Sequence, residues 1–205
     1  MEGKKKFGAK KDPPKVENFH RMRIVSGKFR GRNLKGPSSN AIRPTSDRLR
    51  ESIFNILVHA YGDPISGARV LDLFAGTGAL GCEAMSRGAK YVLFVEEAAE
   101  ARALIRENVE ALSLTGESKI FRRDAARLGD IGPIEPFDLI FCDPPYGQSL
   151  AERSLASARD GKWLAPSALV VVEEAVKAAF KAPEGFEELE RRVYDDTEII
   201  FLRAA

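Results

Sequence analysis

The sequence predicts an α/β fold: a mostly parallel sheet of seven strands with helices on both of its faces. From residue 69 onwards, short apolar runs alternate with segments of helical periodicity. Such alternation favours parallel strands, because each helix carries the chain back to the edge of the sheet where the next strand begins. The last two runs, in FEELERRVYDDTEIIFLRA, are separated by only a tight turn, so they are expected to form an antiparallel hairpin.

The elements of this main domain, residues 63–205, follow from the same patterns in chain order. The linker YGDPISGA leads into it. Helices are expected near residues 79–87, 98–112 and 148–159. The strands that precede the final hairpin are RVLDLF, YVLFVE, KIFRRD, FDLIFCD and ALVVVEE.

The basic residues of the chain are concentrated at its front. Residues 1–50 hold 15 Lys and Arg against four acidic residues, a net charge of +11, whereas residues 51–205 carry a net charge of −9. Residues 1–21 are expected to form a flexible basic tail, which either solubilises the chain or adds to a polyanion contact. RMRIVSGKFRGRNLKG, broken at Gly27 and Gly31, predicts a small folded hairpin. A folded basic surface favours contact with nucleic acid.

A helix is expected to follow the hairpin and to complete an N-terminal extension over residues 22–62. Thr45 or Ser46 can cap this helix, which is expected to run from Ser46 to Ala60. Its apolar residues recur at helical spacing and should pack on the main domain, while Arg48 and Arg50 point elsewhere. The predicted nucleic-acid contacts of the extension are Arg23, Lys28, Arg30, Arg32, Arg48 and Arg50.

Several classes of protein are disfavoured by the composition. No apolar run approaches the roughly 20 residues of a membrane span, and the N-terminus lacks the apolar stretch of a secretory signal. We therefore expect a cytoplasmic protein with no membrane contact. Cys82 and Cys142 lie in apolar segments and are expected to be reduced core thiols. His20 and His59 are isolated, and no metal site is expected.

The first strand of the main domain leads into a glycine loop with the G-x-G-x-x-G spacing, Gly76 to Gly81. In dinucleotide-binding folds this loop places a pyrophosphate at a helix N-terminus. Here Asp72 precedes the loop by four residues and would repel phosphate. A ligand that carries an ammonium and a sulfonium group but no phosphate fits better. The sequence therefore predicts S-adenosylmethionine as the cofactor, with Phe74, Gly76 and Gly78 among its contacts.

Two further acids are expected at the same edge of the sheet. Glu96 ends the second strand, 24 residues after Asp72, where an acidic residue binds ribose hydroxyls in this kind of fold. Asp124 ends the third strand and could accept a hydrogen bond from the adenine amino group. The alternative is that such acids only cap the helices that follow them.

The fourth strand ends in Asp143-Pro144-Pro145-Tyr146. The two prolines restrict the backbone, so the Asp143 carboxylate and the Pro144 carbonyl can be held in one direction. Both groups are acceptors that could orient an exocyclic amine towards a methyl donor, and Tyr146 supplies a ring for stacking on a base. The four residues are the predicted catalytic site. They do not distinguish guanine N2 from adenine N6, cytosine N4 or a glutamine amide.

A different chemistry, methylation of cytosine C5, needs a cysteine nucleophile. Cys142 directly precedes Asp143 in the strand. Successive side chains of a strand point to opposite faces, so Cys142 should point away from the site.

The chain resembles the bacterial small-subunit rRNA methyltransferases that modify the exocyclic N2 of a guanine in 16S rRNA. The resemblance runs from about Met22 to Arg203 and is carried by RIVSGKFRGRNL, RPTSDRLRESIFNIL, DLFAGTGALGCEA, FVE and DPPY. It implies a Rossmann-like class I S-adenosylmethionine-dependent methyltransferase fold, with residues 63–205 as the catalytic domain. It further implies an RNA-contacting extension over residues 22–62. The implied partner is 16S rRNA, in the small ribosomal subunit or in an assembly intermediate, and the protein is expected to be a monomer.

The resemblance also implies roles for individual residues. Asp72 and the glycine loop would bind the methionine side of the cofactor, Glu96 the ribose and Asp124 the adenine. Arg43 and Thr45, in RPT, match a motif that closes over the cofactor in such enzymes. Two other classes stay open on the residues alone, a nicotinamide oxidoreductase and a non-catalytic ribosome-assembly factor. The first leaves Asp72 and the DPPY residues without a purpose.

Overall fold

The elements were assigned in a computed structural model, which describes residues 22–37 and 46–205. The expected tail, residues 1–21, lies outside the described residues. In chain order the strands and helices are β1 Met22–Arg23, β2 Asn33–Leu34, α1 Asp47–Ala60, β3 Arg69–Leu73, α2 Ala79–Ser86, β4 Tyr91–Val95, α3 Ala99–Ala111, β5 Ser118–Phe121, β6 Phe137–Cys142, α4 Leu150–Asp160, β7 Leu164–Ala175, β8 Phe186–Tyr194 and β9 Thr197–Ala204.

The main sheet has seven strands in the order β5-β4-β3-β6-β7-β9-β8. The first five strands of this order pair in parallel, and β9 lies antiparallel to both of its neighbours. The predicted mostly parallel sheet with an antiparallel C-terminal hairpin is therefore confirmed. The chain proceeds outwards from β3 to β5 and then returns to β6 on the other side of β3. Ligands of open α/β sheets bind at the carboxyl ends of the strands beside such a reversal.

Apolar layers cover both faces of the sheet. On one face, α1, α2, α3 and the small hairpin share a core cluster with the inward side chains of the sheet, for example Phe54 of α1 against Phe141 of β6 at 5.5 Å between ring centroids. On the other face, Ala151 and Leu155 of α4 pack with the buried Trp163. The expectation of helices on both faces is confirmed.

Helix α1 begins at the predicted cap. Ser46 Oγ accepts a hydrogen bond from Leu49 N at 3.1 Å. One expectation for this helix is wrong, because the side chain of Arg50 is fully buried instead of pointing elsewhere. Its guanidinium lies 2.7 Å from Asp47 and 3.6 Å from Glu83. The helix therefore buries a cation in the face that joins the extension to the sheet.

Glu83 of α2 is the centre of this contact, which we call the Glu83 junction. Its carboxylate is fully buried and accepts hydrogen bonds from the backbone N–H groups of Val25 and Ser26 of the hairpin, at 2.8 and 2.9 Å. Arg87 approaches it at 2.8 Å and Arg50 at 3.6 Å. Four donors from three segments of the chain thus meet at one carboxylate.

The hairpin also packs closely against the C-terminal end of α2, at Gly27. This residue has a φ of +82°, and a Cβ built on it would lie 1.9 Å from the Ser86 carbonyl oxygen. The next residue, Lys28, donates its N–H to the same oxygen at 2.8 Å. Only glycine fits here, because both the backbone conformation and the contact exclude a side chain.

Candidate cofactor and substrate site

A cavity of about 540 Å³ opens at the carboxyl ends of β3, β4, β6 and β7, beside the chain reversal. The predicted site residues that line it are Asp72, Phe74, Gly76, Glu96, Asp143, Pro144, Pro145 and Tyr146. The structure therefore brings the expected cofactor residues and the DPPY residues into one space. Cavities of this size accommodate ligands as large as a nucleoside with an attached amino acid.

Asp72 lies at the bottom of this cavity and is 2% exposed. Its Oδ2 accepts a hydrogen bond from Gly81 N in α2 at 3.0 Å. Burial raises the pKa of this carboxyl to about 8; the bond from Gly81 opposes the shift and the negative charge of Glu96 adds to it. Because a nearby cation would stabilise the ionised form, the site favours a positively charged ligand group.

Glu96 is held by two backbone donors. Its Oε2 accepts from Gly76 N of the glycine loop at 2.9 Å, and its Oε1 accepts from Ala98 N at 2.8 Å. The bond from Ala98 lies at the start of α3. Glu96 therefore also has part of the helix-capping role that is the alternative for the acids at the strand ends. Each carboxylate oxygen can accept a further hydrogen bond. Glu96 can therefore hold the loop and still accept bonds from a pair of hydroxyl groups in the cavity.

The glycine loop itself combines unusual backbone with close packing. Phe74 has a φ of +58°, which is uncommon for a bulky residue and is found mostly at functional positions. Gly78 is the N-cap of α2 with a φ of +77°. A Cβ on Gly81 would lie 2.4 Å from the ring of Phe94. The third glycine of the motif is thus required for the contact between helix and sheet, while the first lines the cavity.

Asp143 and its neighbours follow directly after β6. Pro144 is buried, Pro145 is exposed, and the ring of Tyr146 is half-buried. The Tyr146 hydroxyl donates a hydrogen bond to Glu173 Oε1 at 2.8 Å. Burial, together with the negative charge of Glu173, raises the pKa of Tyr146 well above its usual value. Tyr146 is therefore a neutral phenol whose ring orientation is fixed by its hydroxyl.

Cys142 points away from this site, as expected. Its Sγ lies 3.4 Å from Ser154 Oγ of α4, in the core on the other face of the sheet. Burial raises the pKa of the thiol to about 12. A buried thiol without a general base is unsuited to nucleophilic attack. Cys82 is buried as well, and both cysteines are free.

Of the predicted cofactor residues that the structure describes, Gly78 and Asp124 do not line the cavity. Arg43 and Thr45 lie outside the described residues. The assignment of Asp124 to the end of a strand is wrong, because β5 already ends at Phe121. Asp124 instead caps a short 3₁₀ turn, where it accepts from Ala126 N at 2.8 Å.

Sequence reasoning missed two polar side chains that line the cavity, Glu173 of β7 and Thr197 of β9. Thr197 Oγ1 lies 3.5 Å from the Tyr146 hydroxyl. A signal was present at Glu173, since an acidic residue that directly follows the buried run LVVV in a parallel strand marks the ligand-binding edge of the sheet. Residues of α1, Ser46 and Leu49, also line the cavity.

The predicted nucleic-acid contacts divide into three kinds. Arg50 is buried in the Glu83 junction and is unavailable to a partner. Arg23 and Lys28 are exposed and lie 3.6 and 3.7 Å from acidic groups. Arg32 donates to the Ala111 carbonyl at the end of α3, at 3.0 Å. Arg30, Arg48 and Arg32 itself are exposed and form no ion pair with a residue of the ranges 22–37 and 46–205.

Comparison with known proteins identifies the family. The family model described as "Conserved hypothetical protein 95" matches residues 22–203. "Ribosomal RNA small subunit methyltransferase D" of Escherichia coli strain K12 is 38% identical over 166 residues, which are 80% of each chain. The protein of the same name from Haemophilus influenzae is 34% identical over 167 residues, 80% of this chain and 84% of that protein. The chain belongs to the ribosomal RNA small subunit methyltransferase D family.

A solved structure agrees with this membership. "Putative methyltransferase yhhF from Escherichia coli" matches with a TM-score of 0.75 and 31% identity, over 90% of this chain and 98% of that chain. The Rossmann-like fold of S-adenosylmethionine-dependent methyltransferases is thereby confirmed. Within the described residues, no helix has the length and apolarity to cross a membrane. The same residues contain no group of three or more His, Cys, Asp or Glu arranged to hold a metal ion.

Proposed function

We propose that the protein transfers a methyl group from S-adenosylmethionine to the exocyclic N2 amine of a guanine in 16S rRNA. The observation that carries this proposal is the placement of Asp143 and Pro144 in the same cavity as Asp72 and Glu96. Acceptors for an amine and acceptors for a charged nucleoside ligand share one space there. The rRNA substrate is supported by the names of relatives in the family, which are small subunit rRNA methyltransferases.

The residues of the cavity fit S-adenosylmethionine. Asp72 and the loop at Gly76 would bind the charged methionine part, because the buried carboxylate favours a nearby cation. Glu96 would accept hydrogen bonds from the ribose hydroxyls. When bound, the cofactor supplies a methyl group that its sulfonium already activates, so the protein has mainly to orient the acceptor amine and exclude water.

Asp143 and Pro144 would perform that orientation. An aromatic amine has two N–H donors, which match the Asp143 carboxylate and the Pro144 carbonyl. With both donors engaged, the nitrogen lone pair is directed away from the two acceptors and towards the cofactor side of the cavity. The ring of Tyr146, which also lines the cavity, provides a surface on which the base can stack.

The extension would bind the RNA around the target nucleotide. A base must leave its stack to enter the cavity, which costs a few kcal/mol that contacts elsewhere offset. Arg48 is exposed on α1, one residue from Leu49, which lines the cavity. Arg30 is exposed at the tip of the hairpin. The helix that carries Arg48 therefore also borders the site.

Transfer of a labelled methyl group tests the proposal. Small ribosomal subunits that lack the modification are incubated with tritiated S-adenosylmethionine and the protein, and the labelled nucleoside is identified by digestion and chromatography. We expect label in N2-methylguanosine of 16S rRNA. Label in N6-methyladenosine would contradict the target base, and labelled protein without labelled RNA would contradict the substrate class.

Ligand binding separates this function from a nicotinamide oxidoreductase. Above pH 8, where Asp72 is ionised, S-adenosylhomocysteine should raise the melting temperature of the protein, whereas NAD should not, because the carboxylate opposes a pyrophosphate. A response to NAD together with no response to S-adenosylhomocysteine would contradict the proposed cofactor.

A further inference from the structure

Glu173 lies beside Asp143 on the neighbouring strand. In the parallel pairing of β6 with β7, Cys142 is opposite Val172, so the residues that follow, Asp143 and Glu173, are neighbours across the sheet. Adjacent strands are about 4.8 Å apart. Both carboxylates line the cavity.

The two side chains also leave the sheet on the same face. Phe141 and Val171, each two residues earlier, belong to one core cluster, whereas Cys142 and Val172 belong to the cluster on the opposite face. Because side chains of a strand alternate, Asp143 and Glu173 follow Phe141 and Val171. The DPPY carboxylate therefore has a second carboxylate next to it.

Glu173 has a fixed position. It is 7% exposed, and its Oε1 accepts the Tyr146 hydroxyl at 2.8 Å. Thr197 Oγ1 is within 3.5 Å of that hydroxyl. A carboxylate has about four acceptor positions, of which the Tyr146 hydroxyl occupies one. Tyr146 thus orients an acceptor at the place where a stacked base would present its edge.

The chemistry of a second acceptor at this place separates the candidate amines. In guanine, two ring nitrogens flank the N2 amine: N1, which carries a hydrogen and is a donor, and N3, which is an acceptor. In adenine the ring nitrogen next to the N6 amine, N1, is an acceptor, in cytosine the ring nitrogen next to the N4 amine, N3, is an acceptor, and in a glutamine side chain the neighbour is a carbonyl oxygen. Only guanine therefore presents a donor beside the amine. A carboxylate beside the amine site would attract the N1–H donor of guanine. It would repel the acceptors of the other three groups, because a carboxylate only accepts hydrogen bonds.

We propose that Glu173 is the residue that selects guanine, by accepting a hydrogen bond from N1–H while Asp143 and Pro144 hold the N2 amine. This inference rests on the proposed function and adds the recognition of the base to it. Glu173 is a specificity-determining residue that touches the substrate, and no proton transfer is assigned to it. Sites built to bind an N–H group discriminate strongly against analogues that lack it.

The test uses 2-aminopurine, which keeps the 2-amino group but has no hydrogen on N1. Small subunits are reconstituted with 16S rRNA that carries either guanine or 2-aminopurine at the nucleotide found by the labelling experiment. The wild-type protein should methylate the 2-aminopurine particle roughly 10²- to 10⁴-fold more slowly. In Glu173→Gln the side-chain amide can donate to the bare N1, so the ratio of the two rates should move towards one.

Glu198→Gln is the matched control. Glu198 is a buried acid on β9, next to Thr197 in sequence but on the opposite face, where it pairs with Arg191 at 2.7 Å. This variant should keep the wild-type ratio even if its stability falls. A change of ratio in Glu173→Gln alone separates base recognition from a general effect of replacing a buried carboxylate.

Each outcome is informative. Equal wild-type rates on the two particles would overturn the inference, and so would an unchanged ratio in a folded Glu173→Gln protein that still binds S-adenosylhomocysteine. Because 2-aminopurine also lacks the 6-oxo group of guanine, the ratio in the variant decides; if Glu173→Gln does not fold, Glu173→Asp, which shortens the reach of the carboxylate, should move the ratio towards one, and an unchanged ratio would overturn the inference. Failure of the wild-type protein to methylate guanine at all would overturn the proposed function, and this inference with it.

Discussion

Two buried carboxylates eleven residues apart, Asp72 and Glu83, belong to the same unit of β3 and α2 and have opposite surroundings. Glu83 meets two guanidinium groups and two backbone N–H groups. Asp72 meets the N–H of Gly81, and no ion pair joins it to another residue of the described ranges. The protein itself supplies Glu83 with hydrogen-bond donors and positive charges. Within the described ranges, it supplies Asp72 with a backbone N–H but no cation.

The difference indicates what each group is for. A buried charge that is fully paired contributes to stability only as long as all partners are present, and removing one partner is strongly destabilising. A buried carboxyl without a cation keeps a raised pKa and gains most from a ligand that brings one. The Glu83 junction therefore holds the extension on the sheet, whereas Asp72 is placed to receive a cation from a ligand.

The largest effect is expected from Glu83→Ala. The variant leaves Arg50 buried without its second acid and removes the acceptor for Val25 N and Ser26 N, which should lower the free energy of unfolding by about 3–5 kcal/mol. Glu107→Ala is the control, because Glu107 pairs with Lys35 at the solvent-exposed edge of the same hairpin. It should cost at most about 1 kcal/mol. Urea unfolding measures both, and equal losses would contradict the distinction between junction and surface.

Asp143→Ala removes a carboxylate of the cavity, and its effect is expected on the methylation rate instead of on stability. Loss of one of two acceptors for the amine should reduce the methylation rate by two to three powers of ten, about 3–4 kcal/mol of activation free energy. Stability and S-adenosylhomocysteine affinity should change little, in contrast to Glu83→Ala. The comparison fails if Asp143→Ala unfolds as readily as the junction variant or methylates at the wild-type rate.

Asp72 should make cofactor binding depend on pH. Its pKa in the folded protein is about 8, and the ammonium of a bound ligand would lower it, so binding releases a proton. Affinity for S-adenosylhomocysteine should therefore rise from pH 6 to 7.5, by up to about tenfold per pH unit. Calorimetry in buffers of different ionisation enthalpy measures the proton. Asp72→Asn should flatten the profile, whereas Glu100→Gln, at an exposed position on α3, should leave it unchanged.

The same shift affects the stability of the ligand-free protein. The folded pKa of Asp72 lies well above the ordinary value of about 3.9 for an aspartic acid, so the folded state binds more protons than the unfolded state between these values. Stability contributed by this group is complete below about pH 4 and is lost as the pH rises towards 8. Asp72→Asn should remove this loss. A free energy of unfolding that falls equally with pH in both proteins would contradict the assignment.

A smaller effect is expected at the surface of the extension. Arg30→Glu combined with Arg48→Glu should weaken binding to the small subunit and reduce its salt dependence, since each lost phosphate contact removes roughly 0.7–0.9 from the slope of log affinity against log salt. Lys162→Glu with Lys181→Glu changes the net charge equally, at exposed positions beside the core of the other face. That pair should leave the slope nearly unchanged. Filter binding at several salt concentrations measures both.

Deletion of residues 1–20 should have the smallest effect. The sequence predicts a flexible basic tail over these residues, and a segment of that kind would lose entropy on binding. The same filter-binding series compares this deletion with the double reversal. A larger change of slope in the deletion would move the main RNA contact from the folded extension to the tail.

The sequence predicted the local elements and the line of carboxylates after the strands, because both follow from periodicity and from the chemistry of strand ends. It misplaced Arg50, although that residue lies at helical spacing from the buried Ile53, Phe54 and Leu57. A charged residue in that row is expected to face solvent unless an acidic partner is known. The partner here, Glu83, comes from a distant segment of the chain.

The acid after LVVV marks Glu173 as a residue of the ligand-binding edge, but the same limit hides its place next to Asp143. Its position beside Asp143 depends on which strands pair and in which register. Neither is visible in a pattern along the chain, since the pairing joins segments about 30 residues apart. The end of β5 was placed too late, at Asp124, for a related reason. The polar residues after Phe121 continue the sequence of the strand but are not paired with β4.

The inward-facing residues of the hairpin limit how this family can diversify. Met22, Ile24 and Leu34 belong to the same apolar cluster as Val70 and Phe141 of the sheet, and Gly27 fits against the end of α2 without space for a side chain. The hairpin is therefore not a module that could be moved to another enzyme by grafting residues 22–37 alone. Selection can alter the outward arginines freely and so retarget the RNA, but only while the inward residues stay matched to α2.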